Sequence, residues 1–468
     1  MTALPLSPTF SRRLVATLQA AKEQSRRRGE AVLASCTAAV EDEEPLALFR
    51  RAGAGERVFW EGPEAGASFV GSGVAWSEAT SGPDRFASLE AAWAQVVDGA
   101  VLEVEPAYPL PPPVAFAGFR FGTEGPVDPA WQAYPDGLVW LPRLLFLRRD
   151  GHAWLTANLI VDAAADPDAA SEALLSELAA ASPEAEKGGL VTPASGSDPL
   201  RRDRWEREAA ALIESIEGGG VEKVVLARQA LLSAAAPFDV VAAIDRLRGR
   251  YAGCSVFAVG RGDSTFLGAS PESLVRLDGR ALSLDCLAGS AARGATAAAD
   301  DRLAAALLAD PKERHEHDLV LRDLVATLTP LCDDLDVPAE PTLKRLANVQ
   351  HLHRRVRGRA KPATSVLQLA EHLHPTAATG GLPRRAALSL IRTFEPADRG
   401  WYAAPLGWLD GAGGGSFAVA IRSALVTGAA ARLYAGCGIV AGSDPAREFE
   451  ESSIKLAAMR WALGGTEA

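Results

Sequence analysis

The sequence predicts an α+β fold with a large sheet core, and three observations carry that expectation. Short β-like runs alternate with Pro/Gly clusters before residue 163, strands and helices are mixed after residue 200, and no internal repeat is present. A regularly alternating, doubly wound sheet would show a different order of elements.

The first element, SRRLVATLQAAKEQSRRRGE, reads as an amphipathic surface helix. It is Arg-rich but carries Glu23 and Glu30 and has no apolar stretch of the kind a signal peptide needs. The runs VAFAGFRF and GLVWLPRLLFLRR are strand material. A seam follows over residues 163–200. Its first part, AAADPDAASEALLSELAAAS, reads as one helix, and its second, PEAEKGGLVTPASGSDPL, as a loop. The seam separates residues 1–199, the N-terminal part of the sheet core, from residues 200–468.

Beyond it, RDRWEREAAALIESIE places Trp205, Leu212, Ile213 and Ile216 on one helical stripe, and GGG ends that helix. VEKVVLARQALLSA follows as a buried strand, with further strands at TFLGAS, FAVAIRSALV and LYAGCGIVA. Long helical stretches run through DDRLAAALLADPKERHEHDLVLRDLVATL and PAREFEESSIKLAAMRWAL.

The 468 residues are 48% hydrophobic and 23% charged, an ordinary globular balance with apolar material for a large core. A net charge of -11 argues against nucleic acid and anionic membrane as partners. No run approaches the length of a membrane span. The five scattered cysteines form no CxxC pair, which fits a reducing, cytoplasmic compartment.

Two helical segments each carry a Glu-x-x-Glu pair, Glu313/Glu316 and Glu448/Glu451. A spacing of three puts each pair on one helical face. Each alone reads as a solvated acidic face; together they can form an all-oxygen cage suited to Mg²⁺ rather than zinc. Lys455, four residues after Glu451, reads as its surface ion-pair partner.

Lys223 lies in a strand that is apolar on both faces. There it is either a desolvated lysine with a pKa lowered towards neutrality, as a general base needs, or an edge-strand residue reaching outward to solvent. Glu272, after a Ser-Pro turn, reads alone as a turn carboxylate. Arg422 shares its apparent strand face with Ala418, Ala420 and Ala424, which leaves room for a ligand carboxylate or a structural ion pair. Gly436 and Gly438 allow backbone N–H groups to approach an anion, or mark a bulge or turn. Six of the seven histidines fall between His315 and His374, but the i,i+2 spacing points rings apart on a helix, and zinc is not expected.

In this order, the segments EKVVLAR, LGASPESLV, LAGSAARG, KERHEHDLVLRDL, VQHLH, HPTAATGGLP, RGWYAAPLGW, FAVAIRSA and AGCGIVAGSDPAREFEESSIK resemble the chorismate-utilising enzymes. That family comprises anthranilate, aminodeoxychorismate, isochorismate and salicylate synthases. The resemblance covers residues 200–460 and implies a single large domain of two stacked, mostly antiparallel sheets flanked by helices, with residues 200–468 as the catalytic core.

It also implies roles. Lys223 is similar to the base that activates water for attack at ring C2, and Glu272 to the acid that protonates the departing C4 hydroxyl. Glu316 and Glu451 resemble Mg²⁺ ligands, with Glu313 and Glu448 acting through metal-bound water. Arg422, Tyr402, Lys455 and the Gly436/Gly438 backbone resemble the groups that hold the substrate carboxylates, and Gly289, Ser290 and His351 those lining the ring.

Within the family, a lysine at position 223 implies water rather than ammonia as nucleophile, so no glutamine amidotransferase subunit is expected. Ala378 resembles the residue that separates isochorismate synthases from members with Thr there. The expectation is therefore an isomerase forming isochorismate from chorismate for menaquinone or siderophore synthesis. A salicylate synthase is the second reading, and a non-catalytic chorismate-binding protein the third. Cys437 departs from the family's usual Ala, and Thr379 stands beside Ala378.

Overall fold

The structure is a computed structural model describing residues 8–63, 66–125, 127–180, 193–197, 201–395 and 397–465. Among them, two large sheets share the strands of both halves of the chain. The larger runs from the edge strand Pro193–Ser197 through Lys223–Ala234, Ala430–Val440, Ser423–Thr427, Ser264–Ser270 and Ser255–Arg261. It continues into Arg57–Gly62, Ala67–Ser72, Leu144–Arg149, His152–Val161, Val32–Val40 and Val101–Glu103. The second orders Cys332–Asp336, Val349–Ala360, Ala281–Ala292, Ser273–Asp278, Gly415–Val419, Pro405–Asp410, Val114–Phe119, Gly137–Leu141 and Trp76–Thr80. Pairing is antiparallel except between Val32–Val40 and Val101–Glu103.

The strands exist because their apolar faces meet. Val114–Phe119 is buried along its whole length, as expected of a strand covered on both sides. Phe69 from the larger sheet packs at 5.3 Å from Trp408 and 6.0 Å from Phe116 of the second. This aromatic layer joins the two sheets into the α+β core that the sequence predicts. Helices cover the outside. Pro8–Arg28 lies on the Val32–Val40 strand, with Phe10, Leu14, Leu18 and Ala21 turned inward. Arg202–Glu217 buries Trp205, Leu212 and Ile216. No helix of the described residues is long and apolar enough to cross a membrane, and all five cysteines are free and buried.

Three local expectations are corrected. PEAEKGGLVTPASGSDPL is not all loop: Pro193–Ser197 pairs with the end of Lys223–Ala234 as an edge strand, while residues 183–192 and 198–200 lie outside the described residues. The stretch through DDRLAAALLADPKERHE is two helices, Ala297–Ala309 and Pro311–Leu328. Asp310 ends the first and caps the second, accepting from the backbone N–H of Lys312 at 2.9 Å and Glu313 at 3.2 Å. Pro311 cannot continue the first helix but suits the first turn of the next.

FAVAIRSALV, finally, is two strands in different sheets, Gly415–Val419 and Ser423–Thr427. Arg422 sits at the crossover with φ +52°, so it shares no strand face with Ala418 or Ala424.

Candidate active site

The two Glu-x-x-Glu helices start alike, each with an Asp cap and a Pro in its first turn, and they converge. Glu313 and Glu316 are each 7% exposed and Glu448 is 4% exposed, so these are not solvated faces. The Lys312 ammonium lies 3.0 Å from Glu313 Oε1, 2.9 Å from Glu448 Oε1 and 3.9 Å from Glu316 Oε2. One cation thus gathers carboxylates from both helices. Glu451 Oε1 is 2.6 Å from Lys455 Nζ, and Glu451 and Glu448 bring ligand atoms to within 4.8 Å of each other and of Cys437 Sγ.

Burial and the neighbouring Glu451 push the Glu448 carboxyl up to about 7. Burial also acts on Glu451, but the Lys455 ammonium outweighs it and holds that carboxyl low. Carboxylate oxygens from both helices are the donor kind that a hard divalent cation takes, and in kind the residues present fit Mg²⁺.

Lys223 is 1% exposed. It opens a strand hydrogen-bonded on both sides, to Val440 and to Leu382, so the outward-reaching edge residue is ruled out. Its ammonium meets Glu316 Oε1 at 2.9 Å. Gly438 permits that meeting. A Cβ there would fall 2.2 Å from Glu316 Oε1 and 2.7 Å from Lys223 Cε. Gly436 and Gly438 occupy regular, unbroken register, which is neither a bulge nor a turn. We expect Gly438→Ala to keep the fold by circular dichroism and to lose about 10²-fold in turnover, since misplacing reacting groups by an ångström costs that much.

Glu272 is buried where the Ser264–Ser270 and Ser273–Asp278 strands meet. Its backbone N–H donates to Ser270 Oγ at 3.2 Å, and its carbonyl accepts from Val419 N–H at 3.1 Å. Burial first, then the nearby Asp285 carboxylate, pushes its carboxyl up to about 8. Burial would raise Asp285 too, but His353 at 2.8 Å and Lys344 at 3.1 Å hold it down to about 2. One carboxyl of the pair is therefore ionised while the other keeps its proton at neutral pH.

If Glu272 is the proton donor, turnover falls as pH rises through about 8, because the acid form is then lost. Glu272→Gln is expected to collapse the rate, retain substrate affinity and flatten that alkaline limb in a pH–rate profile. A profile still falling at the same pH in the variant would assign the limb elsewhere.

A third group surrounds the open space. Arg422 Nη2 donates to His351 Nε2 at 3.1 Å, so Nδ1 of that ring bears the hydrogen that meets Ser290 Oγ at 2.9 Å. Burial, then Arg422, keeps His351 neutral. Gly289, at φ +80° and at a register shift in its strand, turns the Ser290 N–H to Glu313 Oε2 at 3.0 Å.

The resulting cleft holds about 640 Å³, its open mouth included. Of the fifteen residues expected at the site, Lys223, Glu272, Gly289, Ser290, Glu316, His351, Ala378, Tyr402, Arg422, Gly436, Gly438, Glu451 and Lys455 line it. Glu313 and Glu448 stand behind Glu316 and Glu451, both bonded to Lys312. Lys455 is no surface pair: it also donates to Gly436 O at 2.9 Å.

Sequence reasoning missed Lys312 and Arg399. Arg399 pairs with Glu395 and donates to Thr379 O and Val225 O, each at 2.8 Å, which pins the loop bearing Ala378 to the Lys223 strand. The Glu-x-x-x-Arg spacing was its only signal.

The family profile described as chorismate binding enzyme matches residues 17–464. A salicylate biosynthesis isochorismate synthase from Pseudomonas aeruginosa is 41% identical over 87% of this chain and 84% of its own length. The isochorismate synthase MenF of Bacillus subtilis is 34% identical over 98% of each. Among solved structures, Escherichia coli MenF, described as menaquinone-specific, superimposes with a TM-score of 0.78 at 27% identity, covering 96% of this chain and all of that one. Component I of anthranilate synthase from Streptococcus pneumoniae, at 20% identity and a TM-score of 0.60, shares the fold. With the profile spanning the two sheets and the cleft between them, the chain belongs to the chorismate-binding enzyme family.

Proposed function

We propose that this enzyme is an isochorismate synthase that converts chorismate to isochorismate, with water as nucleophile and Mg²⁺ as its metal. The observation that carries the reading is the placement of buried Lys223 and buried Glu272, whose carboxyl burial pushes up to about 8, in the walls of one cleft. Lys223, in its neutral amine form, takes the proton of the water that bonds to ring C2. Glu272 gives a proton to the oxygen leaving C4, so the hydroxyl is exchanged, the ring double bonds shift, and water is neither gained nor lost overall.

Glu316 and Glu451, supported by Glu313 and Glu448, would hold Mg²⁺, which supplies Lewis-acid polarisation of a substrate carboxylate. Arg422, Lys455 and the backbone beside Gly436 and Gly438 bind the carboxylates, Tyr402 closes one wall, and Ser290 with His351 orients the ring.

Relatives named isochorismate synthase support this choice, and the menaquinone-specific description of the E. coli relative supports that route. Water as nucleophile leaves no task for a glutamine amidotransferase partner. Lys223, Glu272, Glu316 and Glu451 all line the cleft, which disfavours a binding protein without turnover.

The test is chromatography of products from chorismate with Mg²⁺, with and without ammonium. Isochorismate alone is expected under both conditions. Salicylate with pyruvate as the main products would install the salicylate synthase reading, and an aminated product would overturn water as nucleophile. Ala378 lines the cleft beside Thr379. Thr at position 378 would add bulk and a hydroxyl where the water must sit, so Ala378→Thr is expected to cut isochorismate formation about 10²-fold at unchanged melting temperature. A parallel loss of stability and rate would mean that Ala378 only packs its loop.

A further inference from the structure

Behind the active site lies a second cavity of about 1330 Å³, its mouth included. Phe121, Pro375, Leu388 and Ile391 give it an apolar wall. Three carboxylates also line it, and each is matched: Glu124 by Arg392 at 3.2 Å, Glu395 by Arg399 at 2.5 Å, and Asp398 by Arg120. Two further lining guanidinium groups, Arg85 and Arg384, form no ion pair among the described residues.

Arg85 bonds to the carbonyls of Gly82 and Arg120, and Arg384 to those of His374 and His372. Arg85 is 8% exposed, and its Nε has no hydrogen-bond partner. The nearest further carboxylates, Asp136 and Glu371 for Arg85 and Asp323 for Arg384, act on them only through space.

Arg85 is the buried one of the two, and a buried cation without counter-charge is costly unless an anion joins it. A guanidinium fork matches a carboxylate, and the apolar side chains of Phe121, Pro375, Leu388 and Ile391 offer a ring a surface beside the matched charges. We propose that this cavity is a binding site for a small aromatic carboxylate, and that the bound ligand acts on the active site through Arg399.

Arg399 is the shared wall, lining both the cavity and the cleft. Its guanidinium lies 4.0 Å over the Phe121 ring on the cavity side. Its hydrogen bonds to Thr379 and Val225 hold two residues of the cleft. A ligand seated against Phe121 therefore bears on the loop and strand that frame the substrate, and by linkage chorismate bears equally on the ligand.

The binding half stands apart from the reaction proposed above; the coupling half rests on it. The probe is benzoate, titrated calorimetrically into the full chain beside its neutral isostere benzamide. We expect saturable benzoate binding, with benzamide and the Arg384→Met variant each weaker by about tenfold or more. Leu388→Trp, which fills the cavity, is expected to abolish the benzoate heat and keep chorismate turnover without benzoate.

In wild type, saturating benzoate is expected to change the chorismate KM about fivefold, and in Leu388→Trp not at all. No benzoate heat up to about 10 mM, or a heat unchanged in Leu388→Trp, overturns the site, the latter by putting benzoate elsewhere. Binding without any change in KM overturns the coupling, provided chorismate is turned over. A chain that binds benzoate but does not turn over chorismate would refute the proposed reaction and leave the site standing.

Discussion

Lys223→Gln is expected to lose about 10²–10⁴-fold in isochorismate formation, the range of a general base, with chorismate binding retained. The strand that Lys223 opens is held by backbone pairing to Val440 and Leu382 whatever stands at position 223. The variant also strips Glu316 of its 2.9 Å partner. Removing one member of a buried pair costs about 3–5 kcal/mol when nothing compensates, so the melting temperature is expected to fall as well. The two effects separate by temperature. Assayed well below the variant's melting transition, the rate defect persists, while a purely structural defect disappears. Near-wild-type turnover under those conditions would assign the water's proton to another group.

Chelation is expected to stop turnover completely, and Mg²⁺ alone to restore it. Each glutamate variant also removes the partner of a lysine, Lys223 for Glu316→Gln and Lys455 for Glu451→Gln. Both are expected to abolish activity. A readout free of catalysis accompanies them. A ligand that binds only the folded chain stabilises it by about 2.7 kcal/mol at a hundredfold excess over Kd, so Mg²⁺ raises the wild-type melting temperature and leaves that of Glu451→Gln in place. Full turnover by metal-free protein would remove the metal from the reaction.

Much of the site was legible because its residues are of kinds that a fold rarely buries without a task. Lys223 in an apolar strand and paired glutamates on two helices stand out by type and spacing. Lys312 did not, because a lysine next to Glu313 on a helix looks like any solvated lysine until the second helix arrives with Glu448.

Arg422 was placed on the wrong kind of element for a physical reason. FAVAIRSALV is apolar except for Arg422 and Ser423 and has neither Gly nor Pro to mark a break, yet the chain changes sheets there with a non-glycine residue at φ +52°. Such a conformation costs about 1–3 kcal/mol and survives only where the surroundings impose it, which no local pattern reveals. The Pro193–Ser197 strand escaped because Pro-Ala-Ser-Gly-Ser has no β-forming side chains, and pairing at a sheet edge does not require them. Both sheets were foreseen in kind, but their strand order joins residues hundreds of positions apart.

That strand order bears on how the chain is made. During synthesis the Arg57–Gly62 strand emerges long before its neighbour Ser255–Arg261, and Val114–Phe119 long before Pro405–Asp410. The Lys223–Ala234 strand waits for Ala430–Val440, which lies far later in the chain. Until then, apolar strand edges face water with no partner, the condition under which nascent chains aggregate. Pairings this distant in sequence also fold slowly. Recovery of active enzyme from denaturant is therefore expected to drop steeply with protein concentration and to improve when a holding chaperone is present, although the described residues expose few large apolar side chains.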